Sequence, residues 1–256
     1  MKFFNEFGVG LGHYSIAYSF VKKHRLWYWL IIPCLLNLLA FFIVGYFSWV
    51  YTGDLLEYLL MQIGVTGDSW WKVSLQVVIS VFVRLIIIML YLKLFRYIVL
   101  IFFAPMLAFI SDKIQEISTG KLKPFTTSQF VKDVVRGVTI ALRNLGMELL
   151  LTTCILLLAF AIPVLAVLAP FVIFAVESYY FGFAMLDYRN EFMMISAKAS
   201  REMINQHKGL ILGIGSMFNI MLFVPFLGVL VAPVLAVVAA GLAFNKVVSL
   251  DDLNVS

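Results

Sequence analysis

Between Leu26 and Tyr51 the chain carries no Asp, Glu, Lys, Arg or His. At 1.5 Å of rise per residue, about 25 residues make a helix long enough to cross the roughly 30 Å hydrocarbon core of a bilayer with some tilt. Such a run folds as a membrane span or as the wholly buried helix of a large soluble core. Composition decides between them: 63% of the residues are hydrophobic and only 13% are charged, too little polar surface to cover a soluble domain. The sequence therefore predicts one polytopic membrane domain over residues 1–256, with no room for a sizeable soluble domain beside it.

A net charge of +5 would suggest nucleic-acid binding in a soluble protein. Here the basic residues stand in short clusters beside apolar runs, as membrane orientation and lipid headgroups require, so no nucleic-acid partner is expected and membrane lipids are. Residues 1–25 mix aromatics and glycines and end in Lys22, Lys23, His24 and Arg25, which predicts an interfacial helix lying on the membrane surface. The first span, residues 26–51, follows as an uncleaved segment, with Trp27, Tyr28, Trp29, Trp49 and Tyr51 marking its two interfaces. The next connection carries Asp54, Glu57 and Asp68, so the positive-inside rule places the N-terminus in the cytoplasm. A second apolar run, residues 73–110, is about 57 Å long as a helix and is expected to cross and then continue on the cytoplasmic side, emerging near Lys93 and Arg96.

The segment from Asp112 to Glu148 is charged and reads as cytoplasmic. Within it Val131, Val134, Val135, Val138, Ala141, Leu142 and Leu145 recur at helical spacing, opposite Lys132, Asp133, Arg136 and Arg143. That pattern predicts an amphipathic helix against the bilayer or its neighbours, set off from the second span by Gly120 and Pro124. Then comes "AIPVLAVLAP" (Ala161 to Pro170), echoed by "FVPFLGVLVAP" (Phe223 to Pro233). The apolar runs before Pro163 and Pro225 are only about 14 and 16 residues, roughly 21 and 24 Å as helix, short for a 30 Å core. The expected unit, repeated over residues 128–188 and 192–245, is a charged helix, an apolar half-helix, a proline-bounded turn and a returning helix, with Pro170 and Pro233 in the first turns of the returning helices. The fold class is thus an all-α integral membrane protein: two long transmembrane helices plus two proline-bounded re-entrant, half-penetrating helical hairpins and amphipathic cytoplasmic helices. Full spans with kinks and tilt are the alternative, and both arrangements return the C-terminus to the cytoplasm.

Side chains that could carry chemistry are few. Cys34 and Cys154 sit in apolar runs as small hydrophobes. His13, His24 and His207 are too scattered for a metal site, "GVGLGH" follows no strand and is no dinucleotide fingerprint, and no nucleophile and base group together. No enzyme, cofactor or metal is expected. An anion can be held by backbone N–H groups at a helix start together with Arg or Lys; Lys22, Lys23 and Arg25, just before the first span, are the candidate anion-binding residues, with headgroup anchoring as their other reading. Arg84 lies deep in the second span, where a charge is costly enough to suggest function. Glu177, or alternatively Glu148, is its candidate partner.

Several blocks in order resemble the CysZ-type sulfate permeases within the wider etoposide-induced protein family: "LIIPCLLN" (Leu30 to Asn37), "APMLAFISDKIQEISTG" (Ala104 to Gly120), "IPVLAVLAP", "FGFAMLDY" (Phe181 to Tyr188) and "VPFLGVLVAPVLAVVAA". The resemblance implies a bacterial inner-membrane protein, homo-oligomeric, that takes up sulfate for cysteine synthesis. It also marks Asp187 as a family position, expected to cap the following helix or to pair with Arg189. The chain departs from the family at one place. There the turn before the first span's proline carries a glycine, a hydrophobic residue and arginine; here, counting back from Pro33 without a gap, Arg25 falls on the glycine and Trp27 and Tyr28 on arginines. A small gap would instead bring Arg25 or Lys23 to the arginine's place. Two functions follow: passive transport of sulfate or a similar small anion, or a non-transporting membrane scaffold of the same fold.

Overall fold

The computed structural model describes residues 2–26, scattered positions between 35 and 62, and residues 69–120, 126–224 and 227–248. Every element among them is an α-helix: α1 (Lys2–Lys23), α2 (Trp70–Thr119), α3 (Thr127–Ala161), α4 (Pro163–Ala166), α5 (Ala169–Phe192), α6 (Ala197–Asn205), α7 (Lys208–Leu222) and α8 (Leu227–Val247). Most of the expected first span lies outside the described residues. The chain divides into two compact units, one of residues 35–99 and one of residues 1–34 with 100–256.

In the first unit the stretch Trp70–Ile87 at the start of α2 is apolar and long enough to cross a membrane, and none of it is buried. α2 itself runs on for 50 residues with Pro105 inside it, so the run over 73–110 is one helix that outlasts a bilayer. Its end is set by Gly120, whose φ of 69° is the left-handed conformation glycine adopts without penalty and whose N–H reaches the Glu116 carbonyl at 3.0 Å.

The larger unit is built around α7 and α8. Ala232 through Ala240 are buried without a break and include no polar residue, and a helix that is apolar on every side belongs in the middle of its neighbours. α7 lies between α1 and α5 at backbone contact. A side chain at Gly213 would strike the Phe7 carbonyl of α1, and one at Gly215 the Ser178 carbonyl of α5. Glycine at these two places lets the helices approach where apolar side chains would hold them apart. The α1 contacts climb together with α7: Phe3 meets Gly209, Phe7 meets Gly213, and the Tyr14 hydroxyl donates to the Ile214 carbonyl at 2.7 Å. The two helices therefore run parallel. α1 is a single 22-residue helix despite its glycines, and a buried Glu6–His207 contact of 2.8 Å fastens its start to the turn before α7.

The amphipathic segment and the first half-helix form one element. α3 is continuous over 35 residues, roughly 52 Å, because nothing between Val131 and Ala161 breaks a helix. Its faces are inverted relative to a soluble helix. Asp133, Asn144 and Glu148 are buried, whereas Val131, Val135, Leu142, Leu150, Leu157 and Phe160 are exposed. Pro163 opens the short α4, and Pro170 sits in the first turn of α5, as expected. Pro233 does not: α8 begins at Leu227, directly after the turn, and Pro233 falls inside it. The missing N–H is tolerated there because neighbouring helices bury that stretch.

Candidate functional site

The basic residues expected to hold an anion lie together where α1 ends. Lys22 and Lys23 form its last turn, and Lys22, Lys23 and Arg25 are all exposed. Because α1 is parallel to α7, this turn sits towards the end of the unit where α7 runs into the second hairpin's turn at Phe223. A helix C-terminus presents carbonyls, which repel anions and favour cations. Backbone donors for an anion must therefore come from the start of the following span, which lies outside the described residues. Arg25 has a φ of 54°, left-handed and uncommon for any residue but glycine. Its N–H bonds to the Lys22 carbonyl at 3.3 Å, and that of His24 to Phe20 at 3.0 Å. The CysZ-type turn has its glycine at this position in the gapless register, and the backbone conformation explains why a glycine suits it.

Arg84 is exposed on α2, in the unit of residues 35–99. Its two candidate partners belong to the other unit: Glu148 is buried on α3, and Glu177 is half-buried on α5.

Sequence reasoning missed a polar assembly that gathers at the other end of α5. Arg136 on α3 grips Asp187 with two hydrogen bonds, Nε to Oδ2 at 2.9 Å and Nη2 to Oδ1 at 2.7 Å, and donates a third to the Ile195 carbonyl at 2.5 Å. Asp187 also accepts from the Ser200 hydroxyl. It neither caps α6, whose N-cap is Ser196, nor pairs with Arg189. The completely buried Arg189 turns to neutral oxygens instead, Asn245 Oδ1 at 2.8 Å and Asn190 Oδ1 at 3.0 Å, with its guanidinium 5.2 Å from the Phe244 ring centre. Asn245 passes the chain on to Gln115 of α2 at 2.7 Å. The signal was present in "LDYRNE", five polar or ionisable residues in the six from Leu186 to Glu191, and every one of them is buried. Closeness in sequence suggested Asp187 with Arg189; residues two apart on a helix do not face each other, so Asp187 finds its partners on α3 and α6 while Arg189 reaches Asn245 on α8 and its neighbour Asn190.

Outside the three spans, burial pushes the Tyr14 phenol well above its usual range, a rise only partly offset by a backbone hydrogen bond at Phe218. It therefore stays a neutral donor to α7.

Helices α2, α3 and α5 each contain a stretch long and apolar enough to cross a bilayer, Arg136 and Asp187 are paired inside, and apolar side chains face outward along α3. These features define a helical membrane protein. The family described as "Sulfate transporter CysZ/Etoposide-induced protein 2.4" matches residues 15–233, and the chain belongs to it. A search of curated proteins finds no match.

Proposed function

We propose that this chain is a CysZ-like transporter, not an enzyme, that moves sulfate or a similar small inorganic anion passively through a homo-oligomer in the bacterial inner membrane, with both termini in the cytoplasm. Family membership supports sulfate as the first anion to test. The observation that carries the site is the exposed triplet Lys22, Lys23 and Arg25 at the hairpin-turn end of α1. Arg84 and Glu177 supply the further intramembrane charges of this reading.

The half-penetrating arrangement is part of the proposal. The turn from Ala161 to Phe171 carries no polar side chain, and Phe160, Val164, Val167 and Phe171 are each more than 70% exposed. A turn of that composition is suited to hydrocarbon, whereas a full span would deliver it to water. Its backbone is satisfied locally, Ile162 N–H to Leu158, Leu165 to Ile162 and Leu168 to Leu165, at 2.9 to 3.0 Å. α7, at 15 residues, is roughly 22 Å long and falls short of the far side.

The test is labelled sulfate uptake into proteoliposomes by the full chain and by Arg25→Gly, Lys22→Gln with Lys23→Gln, and Arg84→Gln. Arg25→Gly removes the cation while giving the backbone the residue its left-handed conformation favours, so lost uptake with unchanged or higher thermal stability assigns the anion contact to the Arg25 side chain. Loss only in Arg84→Gln moves the contact into the span. No uptake by the folded wild-type protein overturns transport and leaves the scaffold reading, which the replaced arginines at Trp27 and Tyr28 favour.

A further inference from the structure

The outer face of α1 carries a groove that the transport reading does not use. It has a volume of ≈ 400 Å³ and is lined along α1 by Asn5, Gly8, Gly12, His13 and Ser15, with Lys246 contributed by α8. The groove is built from two helices, not from a small-residue stripe alone. Nothing lies within 4 Å of where a side chain at Gly8 or Gly12 would begin, so these glycines leave open space above the helix. His13 is 94% buried by its 6% exposure, and its Nδ1 is 2.7 Å from the Val9 carbonyl. Nδ1 therefore donates within α1, and His13 forms part of the groove wall. The only acid of α1, Glu6, is engaged elsewhere, by His207 at 2.8 Å and Lys2 at 3.7 Å.

The Lys246 ammonium and the Asn5 amide beside one hollow are donors that suit a phosphate group, while the Ser15 hydroxyl donates to the Gly12 carbonyl. Two flanking side chains narrow the choice of phosphate. Phe4 and Ile16, at the ends of the groove, are 77% and 48% exposed, and a free inorganic anion gains nothing from them. A phosphodiester carrying acyl chains gains apolar contact at both. The groove also opens beside the start of α1 and the end of α8, which the positive-inside reading puts near the cytoplasmic headgroups.

We propose that this groove binds the headgroup of an anionic phospholipid, with Lys246 and Asn5 facing the phosphate and Phe4 and Ile16 against the acyl chains. The site is independent of sulfate movement, and its readout is retained lipid.

The experiment is native mass spectrometry of the delipidated full chain titrated with phosphatidylglycerol or phosphatidylcholine. Three variants accompany it: Lys246→Gln, Gly12→Leu and, as a control, Lys208→Gln, an exposed lysine outside the groove. The first atom of a side chain at Gly12 has no neighbour within 4 Å, and leucine suits a helix better than glycine, so Gly12→Leu tests occupancy with the helix kept. The expected result is retention of phosphatidylglycerol over phosphatidylcholine, weakened about tenfold by loss of one charge-assisted contact in Lys246→Gln, abolished in Gly12→Leu and unchanged in Lys208→Gln. Equal retention of the two lipids, equal loss in Lys208→Gln, or unimpaired binding by Gly12→Leu overturns the proposal. Displacement of the lipid by equimolar inorganic phosphate overturns it in favour of a free-anion site, and a changed subunit number in Gly12→Leu overturns it in favour of a contact between copies.

Discussion

The two proline-bounded hairpins read alike in sequence and are held in the molecule by different forces. The second, α7 and α8, is the centre of its unit: α7 meets α1 and α5 at Gly213 and Gly215 through backbone contact, and Phe218 is 98% buried, 5.0 Å from Phe181. The first is peripheral along α3, with Leu156, Leu157, Leu158 and Phe160 exposed, and is tied in by polar side chains: Arg136 to Asp187, and Asn144 Nδ2 to the Tyr180 carbonyl at 3.1 Å. In lipid an apolar face gains little by leaving the surroundings for a protein neighbour, so helices associate through small residues or polar bonds. The second device joins α3 to α5 within the first hairpin, and the first joins α5 to α7, with Gly182 against the Ile211 carbonyl and Gly215 against that of Ser178.

If polar bonds hold the first hairpin, Asp187→Asn is the most damaging single change. It leaves Arg136 without its carboxylate at a place where the two side chains are only 17% and 5% exposed, and breaking such a pair costs about 3–5 kcal/mol. Thermal unfolding in detergent measures the loss. Replacing both partners by leucine should recover most of it, because no unpaired charge then remains; a double variant as weak as Asp187→Asn would mean that packing, and not the ion pair, holds α3 to α5. The hydrophobic counterpart compares two phenylalanines. Phe218→Ala should cost about 3–4 kcal/mol as a core truncation, whereas Phe160→Ala, 89% exposed at the end of α3, should stay within about 0.5 kcal/mol. Similar losses at the two sites would remove the distinction between an inner and an outer hairpin.

Much of this architecture was legible before any coordinates. A helix over the 73–110 run, the end of α2 at Gly120 and the Pro163–Pro170 turn each follow from a local rule that burial does not alter. What could not be read was which face of a helix looks inward. The pattern of α3 separates Asp133 and Arg136 from Val131 and Val135 equally well whether water or lipid surrounds it, and in this fold Asp133 and Arg136 turn inward while Lys132 and Arg143 stay exposed. Pro233 was misplaced for a related reason. Its twin Pro170 does open a helix, but α8 starts six residues earlier than that analogy implies, and only the neighbours that bury it make an internal proline acceptable. The basic turn was found from its charges, yet its height in the fold depends on the parallel packing of α1 and α7, which rests on glycines that sequence propensity counts against a helix.

Those glycines give the finest test of the comparison, since the same substitution should have opposite signs in the two hairpins. At Gly215 a methyl group would be driven into the Ser178 carbonyl. Backbone cannot swing aside as a flexible side chain can, so α5 and α7 must separate, and Gly215→Ala should destabilise by about 1–3 kcal/mol. Gly146 on α3 is exposed and has no neighbour within 4 Å of a new side chain. There the substitution meets nothing in the protein and only removes glycine's conformational entropy in the middle of a helix, so Gly146→Ala should stabilise by about 0.5–1 kcal/mol. Both shifts are read from the same unfolding curves in the same detergent. If Gly146→Ala were destabilising instead, the outer face of α3 would have to be packed against something other than lipid, and the exposed leucines beyond it would have to be reassigned from the bilayer to another copy of the chain.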